Sequence, residues 1–580
     1  MNSVDYQAMG FKCGVEIHQQ LLTSQKLFCR CPAGVYSKKH DAEILRHMRP
    51  TLSEMGTYDG CALMEFKTKK EILYFLNKES VCTYEMDDTP PFPINQEALD
   101  IAIAIGLLLN CQIVDEVHVA RKQYLDGSIP TGFQRTAIIG INGYVEIGEK
   151  KIRVRQLSIE EDSCREISDR GHLISFRTDR LGMPLIEVVT EPDFATPSEA
   201  AAGVKAIGRL LRATKQVRRG IGAVRQDVNV SIAQGQRVEI KGVPRYQDIA
   251  LLTHIEALRQ KALLELRDEL KRRGLNRANL NFYEKDITSS IKNTRSEILK
   301  QSLEKGHLVR GVKVENFAGL FNWKTQPGKT FANEISGRVR VVACLDNVPN
   351  LFHTDHYPDY HGSHIDLHRL LNLFQVSERD ALIITWGPKS DTLTACQEIK
   401  DRILEAVDGV PEETRQHRRA GLTSFERILP GVDRMYPDTD HPPLAISARR
   451  VAKIQTKLPQ KTSEIEKRFM NYKLPADVIE TLALSAHNEL VDRLAAQGYD
   501  MNLVGRWLGQ TAKHVERKGY KLNQITAACW EALIKESARV NIKRKYFKEI
   551  LIKLVKKPEQ DIKLLLSAVC HPCESREPVI

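Results

Sequence analysis

A carboxylate and an imidazole lie two residues apart near the start of the chain, in the run GVEIHQQL at residues 14–21. Alternate side chains of a strand share one face, so Glu16 and His18 would point the same way. Val15 and Ile17, both β-branched, would pack the opposite face into a core. An acid beside an imidazole is suited to binding a divalent metal or to proton transfer. On these eight residues alone, a strand whose polar face merely carries Glu and His is the simpler interpretation.

Further polar groups in the first 250 residues could complete such a site. The run EED at residues 160–162 places three carboxylates together, and these repel one another unless a cation or a proton offsets them. In RQDVNVS, at 225–231, alternation places Arg225, Asp227 and Asn229 on one face. Together with the first run, these groups offer oxygen and nitrogen ligands suited to Mg²⁺ or Mn²⁺, with Arg and Lys available for phosphate.

Length and composition define the class of protein that carries these groups. A chain of 580 residues is too long for one core, and 42% hydrophobic with 27% charged residues is typical of a soluble globular protein. No apolar run approaches the ~20 residues that cross a bilayer, and the N-terminus lacks signal-peptide features, so we expect no membrane association and a cytoplasmic location. Twelve scattered cysteines favour reduced thiols over a disulfide framework. The net charge of +11 indicates a polyanionic partner.

The elements that must position the polar groups change character along the chain. Short strands with helical interludes lead to a long helix predicted at 246–273, which a glycine ends. A second βα pattern, with strands predicted at 308–314, 338–344 and 381–386, indicates an inserted domain, because strands of the first kind return after it. The predicted fold is therefore α+β and multidomain, with a mixed α/β catalytic domain in two parts (1–282 and 416–447), an inserted α/β domain (283–415) and all-α domains at 448–510 and 511–580.

The end of the chain is strongly basic. Residues 511–560 carry thirteen Lys and Arg against five Glu. The basic residues crowd into a few helical turns. The apolar residues of the same turns are predicted to form a packed helix face, and they are Ile542, Phe547, Ile550, Leu551 and Leu554. A solvated helix surface is the simplest interpretation, and a phosphate-contacting surface is the alternative. The basic residues concerned are Lys535, Arg539, Lys543, Arg544, Lys545, Lys548 and Lys553.

In order and spacing, the runs at 14–21, 160–162, 180–193 and 227–231 resemble the GatB/GatE family of tRNA-dependent amidotransferase subunits. The runs KLFCRC at 26–31 and RPTLSE at 49–54 are similar to its archaeal, E-type branch. The resemblance implies a cradle-like catalytic domain, an insertion similar to a domain of bacterial-type aspartyl-tRNA synthetases, and helical and tail domains that bind tRNA. The tail is expected to be shorter than that of the family.

The resemblance also implies an activity. An enzyme of this kind uses ATP and Mg²⁺ to phosphorylate the glutamate of misacylated Glu-tRNA(Gln), and ammonia then displaces the phosphate to give Gln-tRNA(Gln). The ammonia would come from an asparaginase-like amidase partner subunit in a heteromer. By the resemblance, the catalytic residues would be Glu16, His18, Glu161 and Lys122, the Mg²⁺ ligands Glu16, His18, Glu161 and Asp227, and the ATP contacts Arg225 and Asn229. Without the resemblance, Lys122 would be interpreted as a solvated lysine at a strand end.

A zinc site is a separate question. Cys29 and Cys31 are similar to the first half of a zinc knuckle that many relatives complete with a C-x-x-C pair. Downstream, the nearest cysteines are Cys61 and Cys82, so a complete four-thiolate site is not expected.

Two other functions compete with the amidotransferase interpretation. A non-catalytic tRNA-binding scaffold of the same fold would predict loss of the acid and imidazole set, and the sequence retains Glu16, His18 and Glu161. An aminoacyl-tRNA synthetase is suggested by the insertion alone, and we find no nucleotide-binding signature of either synthetase class in the sequence. The amidotransferase interpretation is therefore preferred.

Overall fold

A computed structural model describes residues 4–359, 367–485, 487–540 and 542–570. The chain divides into two compact units, Met1–Gly208 with Gln216–Thr456 and Arg209–Lys215 with Lys457–Ile580. The first unit is mixed α/β and the second is built of helices, which confirms the α+β, multidomain class. The finer boundaries and the synthetase-like nature of the insertion stay predictions. None of the described helices is long and apolar enough to span a membrane.

Within the described ranges, the strands all lie in the first unit. In chain order they are β1 (Lys12–Gln20), β2 (Ala42–Arg46), β3 (Glu71–Leu76), β4 (Gln112–Ile113), β5 (Glu116–Val117), β6 (Val119–Gln123), β7 (Phe133–Ile147), β8 (Lys150–Glu161), β9 (Arg165–Arg170), β10 (Leu173–Arg177), β11 (Pro184–Thr190), β12 (Val224–Ser231), β13 (Val238–Val243), β14 (Phe282–Asp286), β15 (Leu308–Val314), β16 (Lys324–Gln326), β17 (Lys329–Thr330), β18 (Leu351–His353), β19 (Ala381–Gly387), β20 (Glu413–His417), β21 (Thr423–Ile428), β22 (Met435–Pro437) and β23 (Leu444–Ala445).

The helices occur in both units. In chain order they are α1 (Gly60–Lys67), α2 (Gln96–Leu108), α3 (Pro197–Ala213), α4 (Tyr246–Arg272), α5 (Glu297–Glu304), α6 (Phe331–Val342), α7 (Leu367–Phe374), α8 (Lys389–Asp408), α9 (Ala448–Gln455), α10 (Thr462–Asn471), α11 (Ala476–Leu482), α12 (Asn488–Ala496), α13 (Met501–Val504), α14 (Ala512–Glu516), α15 (Ala527–Val540), α16 (Phe547–Lys556) and α17 (Ile562–Cys570).

One large sheet organises the first unit. Its strand order is β21-β20-β13-β12-β1-β11-β8-β7-β6-β22, with β4 paired to β7. Strand β1 lies in the middle, antiparallel to both β11 and β12. Two four-stranded sheets, β2-β3-β10-β9 and β14-β15-β19-β18, accompany it, and β16-β17 and β5-β23 form two-stranded sheets.

One face of the large sheet is covered and apolar. Val15 and Ile17 are 1% and 0% exposed, as the alternation in β1 predicts. Helix α2 packs against β7 and β8, and α4 packs against β12. The predicted long helix is confirmed as α4, and Gly274 follows its end with φ +74°, a left-handed conformation that glycine adopts without a Cβ clash. The other face of the sheet, which carries Glu16 and His18, is called the polar face below.

The inserted segment contains one element that the sequence pattern misassigns. The strands predicted at 308–314 and 381–386 are confirmed as β15 and β19, but the strand predicted at 338–344 is wrong, because α6 runs through most of it. Phe331, Ile335, Val339 and Val342 recur at helical spacing and are buried together. A capping box at Thr330 starts the helix. Burial and capping therefore override the β-branched composition.

The second unit has its own core. Trp507 stacks on Phe547 with ring centroids 4.2 Å apart and planes at 6°. The predicted apolar face of the basic end is confirmed, since Phe547, Ile550, Leu551 and Leu554 are buried and Ile542 packs against them. The lysines of this region therefore lie on a folded helical surface, because the apolar side of the same helices is fixed in a core.

Candidate active site

Strand pairing gathers charged side chains on the polar face. Glu16 lies opposite Asp227 of β12, while His18 lies opposite Glu187 of β11 and Arg225 of β12. Directly opposed residues of antiparallel strands project to the same face. The register of the two neighbours of β1 therefore places five charged or titratable groups side by side.

The first group of possible metal ligands is Glu16, His18 and Glu187, whose ligand atoms lie within 4.8 Å of one another. His18 Nε2 is 3.3 Å from Glu187 Oε1. His18 is 7% exposed, and its Nδ1, 3.9 Å from Asp227 Oδ2, has no hydrogen-bond partner in the described part of the chain. A buried nitrogen without a partner costs free energy unless something else satisfies it. We call these three residues the first acid set.

A second group shares Glu16 with the first. The ligand atoms of Glu16, Asp227 and Glu239 also lie within 4.8 Å of one another. Asp227 Oδ1 accepts a hydrogen bond from the Gly242 backbone N–H at 2.8 Å, and Glu239 Oε2 accepts one from Thr414 Oγ1 at 2.7 Å. We call these three residues the second acid set. Glu16 belongs to both sets and could bridge two cations.

Carboxylates of both sets act on the shared Glu16. Burial, and then the surrounding carboxylates, raise the pKa of Glu16 to about 8. Burial also acts to raise the pKa of Glu187, but Lys122 and His18 outweigh it and hold that pKa well below its ordinary value. For His18 the hydrogen bond to Glu187 and the charge of Asp227 outweigh burial and raise its pKa. Crowded carboxylates with one imidazole form a donor set that fits Mg²⁺ or Mn²⁺.

Lys122 lies on the polar face, as expected. Its Nζ donates a hydrogen bond to Glu160 Oε1 and is 3.6 Å from Glu187 Oε2. Burial lowers the pKa of Lys122, but the charges of Glu160 and Glu187 outweigh it and raise the pKa. Lys122 is thus a charged group tied to the first acid set through Glu187, not a solvated lysine at a strand end. Its catalytic role stays a prediction.

Glu161 lies away from the two acid sets. Its Oε1 accepts a hydrogen bond from Tyr84 Oη at 2.5 Å, and its Oε2 accepts one from the Arg135 backbone N–H at 3.1 Å. Successive side chains of a strand point to opposite faces, so Glu160 and not Glu161 shares the polar face. The expectation that Glu161 surrounds one metal with Glu16 and His18 is therefore not met by the geometry.

Arg225 and Asn229 both border the acid sets. Asn229 Nδ2 donates to Glu16 Oε1 at 3.0 Å. Arg225 Nη1 donates to Asp162 Oδ1 at 3.0 Å, and Asp162 Oδ2 accepts from Gln20 Nε2 at 2.7 Å. The third acid of the EED run thus anchors Arg225. Contacts of Arg225 and Asn229 with ATP stay predictions.

A separate cluster brings three cysteines together. Ligand atoms of Cys29, Cys31, Cys82 and Glu85 lie within 4.8 Å of one another. Hydrogen bonds from the other two thiols lower the pKa of Cys82. Glu85 Oε1 accepts from Lys26 Nζ at 2.7 Å, while its buried Oε2 has no partner in the described residues. The set holds three thiols and a carboxylate, so Glu85 stands where a four-thiolate site would have its fourth cysteine, and these donors fit zinc.

Three acids of the polar face were not assigned as metal ligands from the sequence. Glu187 and Glu239 are each flanked by apolar residues in buried strands, and a charged residue at such a position is the signal that could have identified them. Glu160 was passed over for its neighbour, because alternation alone does not say which residue of a pair faces the site.

Comparison with known proteins identifies a family that the chain matches. Residues 11–452 match the family described as the GatB/GatE catalytic domain. Three proteins named as the E-type subunit of glutamyl-tRNA(Gln) amidotransferase are similar over nearly the whole chain. The protein of Methanocaldococcus jannaschii is 37% identical over 97% of this chain and 89% of its own length. The protein of Sulfurisphaera tokodaii is 39% identical over 96% of this chain and 88% of its own length. The protein of Saccharolobus solfataricus is 37% identical over 100% of this chain and 92% of its own length.

Proposed function

The chain belongs to the GatB/GatE family, and we propose that it is the subunit of a tRNA-dependent amidotransferase that converts Glu-tRNA(Gln) into Gln-tRNA(Gln). The observation that carries the proposal is the pair of acid sets sharing Glu16 on the polar face, within the matched segment. Such a subunit acts in protein synthesis, and we propose a cytoplasmic location for it.

Amidation of a carboxylate needs activation, because hydroxide is a poor leaving group. A γ-carboxylate oxygen of the tRNA-bound glutamate attacks the terminal phosphorus of ATP, and ADP leaves. Ammonia then attacks the acyl carbon, the carbon–oxygen bond to phosphate breaks, and the nitrogen loses a proton. Charge that develops on the transferred group is stabilised by nearby cations, and positioning supplies most of the catalysis.

The polar face provides the groups for this reaction. Mg²⁺ held by Glu16, His18 and Glu187, or by Asp227 and Glu239 with the shared Glu16, would neutralise phosphate charge. Glu160, whose carboxylate lies on the polar face, takes the position expected for Glu161 and holds Lys122 in place. Lys122 lies where it could contact the reacting carboxylate or phosphate. Arg225 and Asn229 are proposed to contact ATP from β12.

The remaining parts of the chain are given supporting roles in this proposal. Cys29, Cys31, Cys82 and Glu85 are proposed to bind a structural zinc ion. The insertion at 283–415 is proposed to be the synthetase-like domain of the E-type branch.

The basic helices of the second unit are proposed to contact tRNA phosphates. The nearby positive charge of Lys518 lowers the pKa of Lys548, an arrangement that a phosphate would stabilise. An asparaginase-like amidase subunit is the proposed partner and source of ammonia, in a heteromer.

The direct test uses the purified chain with Glu-tRNA(Gln), ATP and Mg²⁺. We expect ADP formation that depends on the misacylated tRNA, and Gln-tRNA(Gln) when ammonium is added. Uncharged tRNA(Gln) and Gln-tRNA(Gln) are the controls and should not stimulate ADP formation. Absence of tRNA-dependent ADP formation, with the amidase partner present as well as without it, would contradict the proposal.

A further inference from the structure

Three cations surround one aromatic ring on the polar face. Lys241 Nζ lies 5.7 Å from the centroid of the Tyr124 ring, and the guanidinium carbons of Arg427 and Arg434 lie 5.4 and 5.3 Å from it. Lys241 comes from β13, Arg427 from β21, and Arg434 from the short turn that precedes β22. We call Lys241, Arg427 and Arg434 the cation cluster.

Among the described residues, Arg427 is the one member of this cluster that forms a close ion pair. Arg427 Nη1 donates to Glu65 Oε1 at 2.8 Å and is 4.0 Å from Asp126 Oδ2, while its buried Nε has no partner in the described residues. Lys241 and Arg434 make no hydrogen bond or ion pair with any side chain of the described ranges. Two cations therefore face the site without a directly bonded anion.

The cluster borders both acid sets. Lys241 lies two residues from Glu239 on the same strand face, and all three cations act electrostatically on the Glu239 carboxylate. Arg434 also acts on Glu187 of the first set. The charges of Lys241 and Arg427 also act on Glu426, the neighbour of Arg427 in β21. On the polar face, the carboxylates of the acid sets and the cations of the cluster therefore lie next to one another.

This arrangement of carboxylates beside cations is suited to binding a polyphosphate together with its metal ion. Carboxylates bind the metal ion, and Lys and Arg bind the phosphate oxygens that the metal does not reach. We propose that the cation cluster is a phosphate subsite for the nucleotide. The proposal rests on the proposed function, since it assigns residues to its ATP. An RNA phosphate is the other source of this chemistry. The interaction of the cluster with carboxylates of both acid sets favours the nucleotide, and the test distinguishes the two sources.

The test compares Arg434→Gln and Lys241→Gln with the unmodified full chain. Binding of a non-hydrolysable ATP analogue with Mg²⁺ is measured by calorimetry without tRNA, and tRNA binding is measured without nucleotide. Each variant would lose a charge-assisted hydrogen bond to phosphate. We therefore expect about ten- to hundredfold weaker nucleotide binding and unchanged tRNA affinity. Arg434→Lys, which keeps the charge but loses the planar fork, should recover part of the loss.

Two matched controls replace cations that lie over aromatic rings outside the cation cluster. Lys151 lies 4.5 Å from the Tyr144 ring centroid, and Arg177 lies 5.7 Å from that of Phe75. Lys151→Gln and Arg177→Gln should leave nucleotide affinity unchanged. Thermal unfolding of each variant checks the fold, and Lys241→Gln decides the question if Arg434→Gln does not fold.

The outcomes separate this inference from the proposed function. Unchanged nucleotide affinity in both cluster variants, with an unmodified chain that binds the nucleotide, overturns the subsite alone. Loss of tRNA binding in place of nucleotide binding also overturns it and assigns the cluster to RNA. An unmodified chain that neither binds the nucleotide nor forms ADP with Glu-tRNA(Gln) overturns the proposed function itself.

Discussion

Glu160 and Glu161 are neighbours in β8, and their carboxylates lie on opposite faces of the sheet. Glu160 accepts hydrogen bonds from Lys122 and, at 3.0 Å, from Thr136 Oγ1 on the polar face. Glu161 accepts from Tyr84 and from the backbone of Arg135 on the other face. Both are buried, so each depends on its own partners for compensation of its charge.

Substitution of these two acids should therefore have different effects. Glu160→Gln frees Lys122 to move toward Glu187, and we expect tRNA-dependent ADP formation to fall by roughly 10²-fold or more. Glu161→Gln weakens charge-assisted hydrogen bonds and should lower stability by about 1–3 kcal/mol, with a smaller effect on turnover. Steady-state kinetics and thermal unfolding of both variants check this. A large loss of turnover in Glu161→Gln with little loss in Glu160→Gln would contradict this assignment and favour Glu161 as the residue of the active site.

Glu16→Gln and His18→Ala should weaken divalent-metal binding. Both remove a candidate ligand, and we expect at least about tenfold weaker Mn²⁺ binding, measured by electron paramagnetic resonance of the free ion, and a higher Mg²⁺ requirement for ADP formation. Their tRNA affinity should be unchanged. Glu116 and His118 form the matched control, because they have the same spacing and an ion pair of 2.8 Å but are exposed. Equal Mn²⁺ binding in the Glu16 and Glu116 variants would contradict the metal assignment.

The cysteine cluster predicts about one zinc ion per chain. Cys82→Ser and Cys29→Ser should lose the metal, as measured by elemental analysis of the purified protein, and should lower the temperature of unfolding. Cys61→Ser is the control, because Cys61 is buried elsewhere and contacts Glu65. Zinc retained in Cys82→Ser at the level of the unmodified chain would show that Cys82 is not a ligand.

Asp162 predicts a pH-dependent contribution to stability. Burial raises the pKa of Asp162, but Arg225 and Arg180 outweigh it and hold the pKa below its ordinary value. A group with a depressed pKa stabilises the fold above its unfolded pKa of about 4, and this contribution is lost as the pH falls through the folded pKa. The difference in unfolding free energy between the unmodified chain and Asp162→Asn should thus be about 1–3 kcal/mol at pH 7 and narrow below about pH 4. A difference that grows on acidification would contradict the assigned charge.

Lys518 and Lys548 offer a test of the tRNA-binding surface. Deletion from residue 511 would expose core residues such as Trp507, so charge reversal is the better experiment. Lys518→Glu with Lys548→Glu should weaken tRNA binding and reduce its salt slope by about 1–2, because each phosphate contact releases counterions. Nucleotide binding should be unchanged. Reversal of the exposed Lys261 and Lys271 on α4 is the control, and an equal loss of tRNA affinity there would indicate a nonspecific charge effect.

Local periodicity was enough to predict much of this molecule from its sequence. Alternation in β1 placed Glu16 and His18 on one face and Val15 and Ile17 in the core, and the long helix α4 followed from apolar spacing with Gly274 at its end. These features depend on residues within a few positions of one another, so a pattern of period 2 or 3.6 contains them. The family resemblance added the reaction, which periodicity does not contain.

The composition of the site was decided only by tertiary structure. Glu187 and Glu239 join Glu16 because β11, β12 and β13 pair in a particular register, and a shift of one residue would turn those acids to the other face. The same register separates Glu160 from Glu161. Glu85 meets Cys29 and Cys31 across more than fifty residues of chain, and α6 is a helix because its buried face and cap outweigh its β-branched residues. Such contacts depend on long-range pairing and packing, which no local pattern specifies.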